Sequence, residues 1–529
     1  MEIDPHNLPS EVNLLQQIVL QLLQVVEDKD QLLARVQHQL AQLLRYRYGQ
    51  KRERIDENQL FLFAAQIIAA SLRASAATSS AEPPTSDASS RADSKGKKEQ
   101  PECRGHGRKP LPESLARRQV VFDLEESQRQ CQHCQAPMQR IGEDVSERLE
   151  FIPASLQVIE EVRPKYACAK GCGVSAAEKP AAPIEKGLPG PGLLAQVAVS
   201  KYGDHIPLNR MESIFERHGV ELSRKTMCDW MAACAELVSP LWERMKEVVL
   251  TSKAVQTDDT PVPVLDRERT HTRTGRIWTY VGDRNGPYIV YDYTGNRSRE
   301  GPEEFLRGYR GYLQADAYAG YDAMFKNRKQ YLTEVACWAH SRRYFFEAQT
   351  SDLCRATVVL AYIQLLYEVE RDARKEKLNA EQRRELRQAK SRPILEDIQA
   401  YVLKEKPKVL PKSPIAAAID YTLSNWEALL RYTEDGDLEI DNNGAERSLR
   451  PIVIGRNNWM FYGSDKGGRT GAVLSTLIAS CKRLRVEPFA YLRDLFTRIS
   501  SHPHHRLDEL LPDRWHVANR RVSPVYEET

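Results

Sequence analysis

Val255-Gln-Thr-Asp258-Asp259-Thr-Pro-Val-Pro-Val-Leu265 is an apolar, β-branched run with two carboxylates at its centre. It reads as a strand that holds one acid still. Consecutive strand side chains point to opposite faces, so only one of Asp258 and Asp259 can face a given site, and the other is free for solvent or a turn. A second such run, Gly311-Tyr-Leu-Gln-Ala-Asp316-Ala-Tyr-Ala-Gly320, also closes on an acid. Far downstream, Asp441-Asn-Asn-Gly-Ala-Glu446-Arg-Ser-Leu-Arg450 opens a predicted helix with a third acid in its first turns. Three carboxylates carried on two strand ends and a helix suit a hard divalent cation, which prefers oxygen ligands. The arrangement suggests phosphodiester chemistry.

Working outward, strands over 254–260, 276–281 and 288–293 are joined by short Gly- or Asn-containing turns and predict an antiparallel meander. A short helix over 302–307 leads to the Asp316 strand, and 331–338 reads as a fifth strand before a helix near His340. That is the strand order of a ribonuclease-H-like fold. From about 341 to 433 the chain reads helical and polar, with nine Lys/Arg against four Asp/Glu between Arg371 and Arg392. It separates the fifth strand from Glu446 and is expected to be an insertion into the core.

A chain of 529 residues, 41% hydrophobic and 28% charged, is too long for one core and implies several domains. No apolar run reaches the length of a membrane span, and Met1-Glu-Ile-Asp lacks the basic start of a secretory signal. The expected compartment is the cytoplasm. There the ten cysteines are not expected to form disulfides, and close pairs read as metal ligands. The net charge is only +3, so any nucleic-acid contact has to come from local patches.

Residues 8–43 keep a seven-residue repeat: Val12, Val19, Val26, Leu33 and Leu40 on one position, Leu8, Leu15, Leu22, Val36 and Leu43 on the other, with Lys29 the exception. Val at the first position and Leu at the second favour a parallel two-stranded coiled coil, against the alternative of an amphipathic helix packed on its own chain. A linker of Ala, Ser, Pro and charge follows, and inside it Gly105-His-Gly-Arg108-Lys109-Pro110 resembles hooks that place arginine in a narrow minor groove. A solvated basic linker is the plainer reading. Cys131-Gln-His-Cys134 and Cys168-Ala-Lys-Gly-Cys172 flank a β-rich segment and have the spacing of a structural zinc site, with His133 or Cys103 as alternative ligands. Between 211 and 230, a helix, a turn at Gly219 and a second helix capped by Ser223 form a helix-turn-helix pattern that would offer Arg224 and Lys225 to DNA. Helical hairpins also serve as plain scaffold.

Taken together, the chain resembles transposases of the insertion-sequence-66 family, which are DDE transposases. The resemblance rests on Gln256-Thr-Asp258-Asp-Thr-Pro261, Leu313-Gln-Ala-Asp316-Ala-Tyr-Ala-Gly-Tyr321, Ala336-Cys-Trp-Ala-His340 with Arg342-Arg343, Asp441-Asn-Asn-Gly-Ala-Glu446-Arg-Ser-Leu-Arg-Pro451 and Gly463-Ser-Asp-Lys-Gly-Gly468. It extends from the N-terminal coil to Leu507-Asp-Glu-Leu-Leu-Pro512. Two departures are the wider second cysteine pair and Asp259 where glutamate is frequent.

The resemblance implies Asp258, Asp316 and Glu446 as a catalytic triad holding two Mg²⁺, for which Mn²⁺ would substitute. It implies cleavage of the element's terminal inverted repeats and transfer of the freed 3′-hydroxyl to target DNA. Arg447, Arg450 and, in the Gly-rich loop, Lys466 are candidates to hold phosphates, although exposed cations are usually just solvated and Glu446 could merely cap its helix through the Asn443-x-x-Glu pattern. Expected partners are DNA, a second copy through the coil, and accessory proteins of the same element.

The expected architecture is multidomain α/β. The coil occupies 1–70, the basic linker 71–118, the zinc module 119–185 and the helical DNA-binding region 186–250. The ribonuclease-H-like core spans 251–340 and 436–485, its helical insertion 341–435, and a helical tail 486–529. A catalytically inactive zinc-containing DNA-binding regulator, and a nuclease of this fold that cuts without joining, are the alternatives.

Overall fold

The computed structural model describes residues 181–519 apart from 186, 267, 269, 317–318, 322–323 and 326–331, together with 19, 156–159, 165–167 and 174–176. Residues 80–165 separate from the rest of the chain as a unit of their own. The coil at 8–43 (Val19 apart), Arg108, Lys109 and the cysteines at 131, 134, 168 and 172 lie outside the described residues. Two short strands, Lys165–Ala167 and Val174–Ala176, form a two-stranded ribbon.

A five-stranded mixed sheet carries the middle of the chain. Its strands are β1 (Ala254–Val264), β2 (Arg273–Val281), β3 (Ile289–Thr294), β4 (Gly311–Gln314) and β5 (Leu332–Val335), in the order β3-β2-β1-β4-β5. β1, β2 and β3 pair antiparallel, while β4 runs parallel to β1 and β5 parallel to β4. The expected meander and the two later strands are all present, with shifted bounds. β1 continues past the expected end through Pro261 and Pro263, because β4 pairs with it only at 254–256. Beyond that point β1 is an edge on one side, where proline's missing N–H costs no ladder bond. β5 stops at Val335, and helix α5 begins at Trp338.

Before the sheet come α1 (Pro191–Ala198), α2 (Leu208–Arg217) and α3 (Arg224–Val249). Gly219, at φ +78°, turns the chain between α2 and α3, a backbone conformation glycine adopts without a Cβ clash. Ser223 caps α3 by accepting the Thr226 N–H, which satisfies one of the first-turn donors.

The two faces of the sheet bury different partners. On one, Trp278 and Tyr280 are fully covered, and Tyr280 stacks on Phe305 of α4 (Glu300–Phe305) at 3.6 Å. Trp242 of α3 meets the same phenylalanine edge-on. The other face lies under α11 (Asn443–Trp459) and α12 (Asp465–Leu484). There Thr279 and Ser448 hydroxyls bond at 2.7 Å, and the Tyr291 N–H donates to Thr476 Oγ1 at 2.9 Å.

Between β5 and α11 the chain forms α5 (Trp338–Ala348), α6 (Leu353–Lys375), α7 (Ala380–Leu386), α8 (Arg392–Glu405), α9 (Pro414–Ser424) and α10 (Trp426–Leu430). The expected helical insertion is therefore present. It shares an apolar core with Val335 and Ala336 at the end of β5. Its basic surface run contains one exception: Arg387 is fully buried, donates twice to Glu370 and donates to the carbonyls of Tyr432, Asp435 and Leu438. The guanidinium thus pins the insertion to the strip that returns to α11. Two further helices, α13 (Pro488–Arg498) and α14 (Pro512–Asn519), follow α12.

Candidate active site

The parallel register of β1 and β4 sets the site. Ala254 pairs with Tyr312, Val255 with Leu313 and Gln256 with Gln314. β4 ends at Gln314 and its pairing with β1 at Gln256, so Asp258 and Asp316 each lie two residues beyond the last paired position. One step below the acids, Gln256 Nε2 donates to Gln314 Oε1 at 3.0 Å. Both amides also hold the strip entering α11, through the carbonyls of Asp441 and Glu439. Gln256 and Gln314 escaped the sequence reading, although each stands two residues before its acid and so shares that acid's strand face.

The strip is fastened at several further points. Asn442 Nδ2 donates to the Thr257 carbonyl at 2.8 Å. At Gly444 the approach is close: a β-carbon there would lie 2.0 Å from Gln256 Oε1 and would displace that amide. The helix that follows presents Glu446 toward the strand acids. Its N-cap, Asn442, makes no side-chain cap bond, so the capping role considered for Glu446 is not realised.

Electrostatics report the convergence. Burial, above all, pushes the Asp258 carboxyl up to about 7; the Asp259 N–H bonded to it opposes this, and the charges of Asp316 and Glu446 add to it. His340, on the first turn of α5, places Nε2 3.7 Å from Glu446 Oε1. Burial lowers its pKa and Arg343 adds to this, while Glu446 and Asp316 work the other way. The donor set is all carboxylate and fits a hard cation in kind. Among the described residues, however, no three His, Cys, Asp or Glu side chains are close enough to form a ligand cluster as they stand.

Several expectations need correction. Asp259 is not free for solvent: its side chain is 4% exposed and accepts from Arg276 at 2.9 Å and from Arg297 at 2.9 Å. It faces away from Asp258, but into a buried ion-pair cluster. Lys466 does not sit in a loop. It lies in the first turn of α12, capped by Ser464, and pairs with Glu236 of α3 at 2.6 Å. Asp441 is buried and bonds the backbone N–H and side chain of Asn443, shaping the entry to α11. Arg447 and Arg450 are exposed on α11, and Arg224 and Lys225 are exposed at the start of α3, away from the acids in sequence but free of the core.

Comparison with known proteins follows the same outline. Residues 186–470 match the model described as Transposase IS66 family, more than half of the chain. The chain belongs to the transposase IS66 family. Residues 128–172 match the zinc-finger binding domain of transposase IS66, 476–512 the IS66 C-terminal element, and 35–120 the model described as Transposase C of IS166 homeodomain. The IS66 chain is similar to three proteins of Sinorhizobium fredii (strain NBRC 101917 / NGR234), each named as uncharacterized. y4hP is 35% identical over 434 residues, covering 78% of this chain and 77% of the relative. y4jD is 34% identical over 420 residues, with 77% and 81% covered. y4qI is 38% identical over 386 residues, with 70% and 71% covered.

The family supports a transposase role, action on DNA, a structural zinc and use of a divalent metal. Among the described residues no helix is long and apolar enough to cross a membrane.

Proposed function

We propose that this IS66-family transposase cuts the ends of its element and joins them to target DNA at a site made of Asp258, Asp316 and Glu446, on a ribonuclease-H-like core. The observation that carries the reading is the β1–β4 register, whose last pair, Gln256 and Gln314, stands two residues before Asp258 and Asp316, together with the helix that bears the third acid. Two Mg²⁺ bound there would activate the attacking oxygen and stabilise the leaving one. The chain's own residues do the positioning. The glutamine pair fixes the strand acids relative to the α11 entry, and His340 faces the Glu446 carboxylate.

Around this core, Arg447 and Arg450 are available to DNA phosphates, as are Arg224 and Lys225 on the capped helix and Arg108 and Lys109 in the linker. Lys466 can contribute only by leaving Glu236. We assign the structural zinc to Cys131, Cys134, Cys168 and Cys172, and self-association to the heptads at 8–43. Metal analysis returning less than one zinc per chain would remove that assignment.

The test is incubation of the full chain with DNA carrying the ends that flank its own gene, with Mg²⁺, scored for both cleavage and joining. Alanine at Asp258, Asp316 or Glu446 should abolish both while leaving DNA-end binding largely intact. Parental cutting by folded, DNA-bound Asp258→Ala or Asp316→Ala protein would sink the assignment. Cutting without joining would mark a nuclease.

A further inference from the structure

We propose that Tyr344, stacked on Tyr421, is the seat for an unpaired nucleobase of the DNA strand that enters the acid pocket. The inference rests on the reading of that pocket as a DNA-cutting site. Helix α5 buries Trp338, Ser341, Phe345 and Ala348. His340 and Tyr344 lie four residues apart on an adjoining stripe, where side chains are neighbours. His340 is the residue that reaches Glu446, so Tyr344 stands one helical turn, about 6 Å, further along the axis. That places the ring within reach of a nucleotide adjoining the phosphate held at the acids.

The two rings form a built platform. Their centroids are 4.6 Å apart with planes 28° from parallel. The supports cannot drift, because the Ser341 hydroxyl of α5 and the Thr422 hydroxyl of α9 bond at 2.8 Å in the buried interface between the helices. Tyr421 is the inner ring: its hydroxyl is buried with no hydrogen-bond partner among the described residues, and the Asp316 charge disfavours its ionisation. Tyr344 is the outer ring and is 40% exposed. Arg343 beside it is exposed, and its charge reaches His340.

One exposed tyrosine alone needs no explanation. An aromatic stack one helical turn from His340, open on its outer side and next in sequence to an exposed arginine, has the parts of a single-strand stacking site. Such a site accepts any base, because every base offers a π-face.

The experiment uses the full chain with Ca²⁺ and two fluorescein-labelled duplexes carrying the DNA that flanks its gene. One duplex is blunt, and the other has three terminal nucleotides unpaired. The parent should bind the unpaired end roughly fivefold or more tighter than the blunt one. Tyr344→Ala and Tyr344→Leu should lose that preference while binding the blunt duplex as before. Tyr344→Phe and Tyr344→Trp should keep it.

A parent without preference, or a leucine variant that retains it, overturns the proposal. The same samples with Mg²⁺ separate the two readings. A parent that prefers the unpaired end but cuts neither duplex leaves the stacking site standing and removes the cleavage assignment. A parent that cuts while Tyr344→Leu matches it in every binding measurement removes only the stacking site. A parent that binds neither duplex removes both.

Discussion

His340 Nε2 lies 3.7 Å from Glu446 Oε1, while its Nδ1 is buried without a hydrogen-bond partner. A buried N–H left unpaired is more costly than a buried lone pair, so the network assigns the proton of the neutral ring to Nε2, facing the carboxylate. At 3.7 Å the contact is an electrostatic approach rather than a hydrogen bond, with the ring N–H turned toward the Glu446 carboxylate.

It follows that His340→Ala should lower cleavage by about 10- to 100-fold, the range found when a partner of a ligating group is removed, and should raise the Mg²⁺ concentration needed for half-maximal rate. His340→Gln, which can still present an N–H to Glu446, should recover most of the loss. Rates measured against Mg²⁺ for the three proteins decide it; an alanine variant with the parent's metal dependence would end this role.

Asp259 provides a contrasting case next to Asp258. Because its buried carboxylate holds both Arg276 and Arg297, Asp259→Ala leaves two cations without their shared partner. Arg276 and Arg297 are 20% and 40% exposed and can be solvated, so the expected destabilisation is about 1–3 kcal/mol, the scale of a lost hydrogen bond to a charged group. Urea unfolding of the variant should show a clear fall in midpoint. An unchanged midpoint would mean the cluster contributes nothing to stability.

Arg387 and Glu370, 0% and 1% exposed, test how the insertion is tied to the core. Arg387→Met leaves the Glu370 carboxylate with Arg383 but without Arg387 and frees three backbone carbonyls, and it should cost about 3 kcal/mol. Adding Glu370→Leu removes that carboxylate and should restore part of that loss. Failure of the double variant to exceed the single one in thermal midpoint would show that the carbonyl contacts, rather than the ion pair, dominate.

Asp292, on β3, gives a pH dependence of known sign. Burial, chiefly, pushes its carboxyl up to about 6, opposed by the Tyr293 N–H and by Lys246. The unfolded chain ionises it near 3.8, so the folded state loses stability as pH rises from about 4 to about 6 and no further above that. Asp292→Asn should flatten this part of the stability–pH curve and gain about 2–3 kcal/mol at pH 8. A variant no more stable than the parent at pH 8 would contradict it.

The three acids proposed for the site stand out in the sequence because strand periodicity and an apolar setting are local properties. The β-branched run around Asp258, the similar run ending at Asp316 and the helix-opening stretch before Glu446 each announced an acid at a fixed place, and the family resemblance joined them. The repeated Gln-x-Asp spacing was legible as well, since residues two apart share a strand face. Ser223, Gly219 and the long helix that follows also matched, because capping and turn chemistry are read from neighbours.

Other roles depend on residues that meet only in the folded chain. Sequence gives the strand face of Asp259 but not the two arginines that make that face a buried ion-pair cluster. Lys466 reads as a free cation until α3 brings Glu236 to it. The basic run of the insertion conceals Arg387, whose burial follows from carbonyls more than forty residues away in sequence. His340 and Tyr344 acquire their neighbours from α11 and α9. Local interactions repeat along a chain and can be read from it, whereas long-range electrostatics and packing exist only once separate segments share a space from which water has been removed.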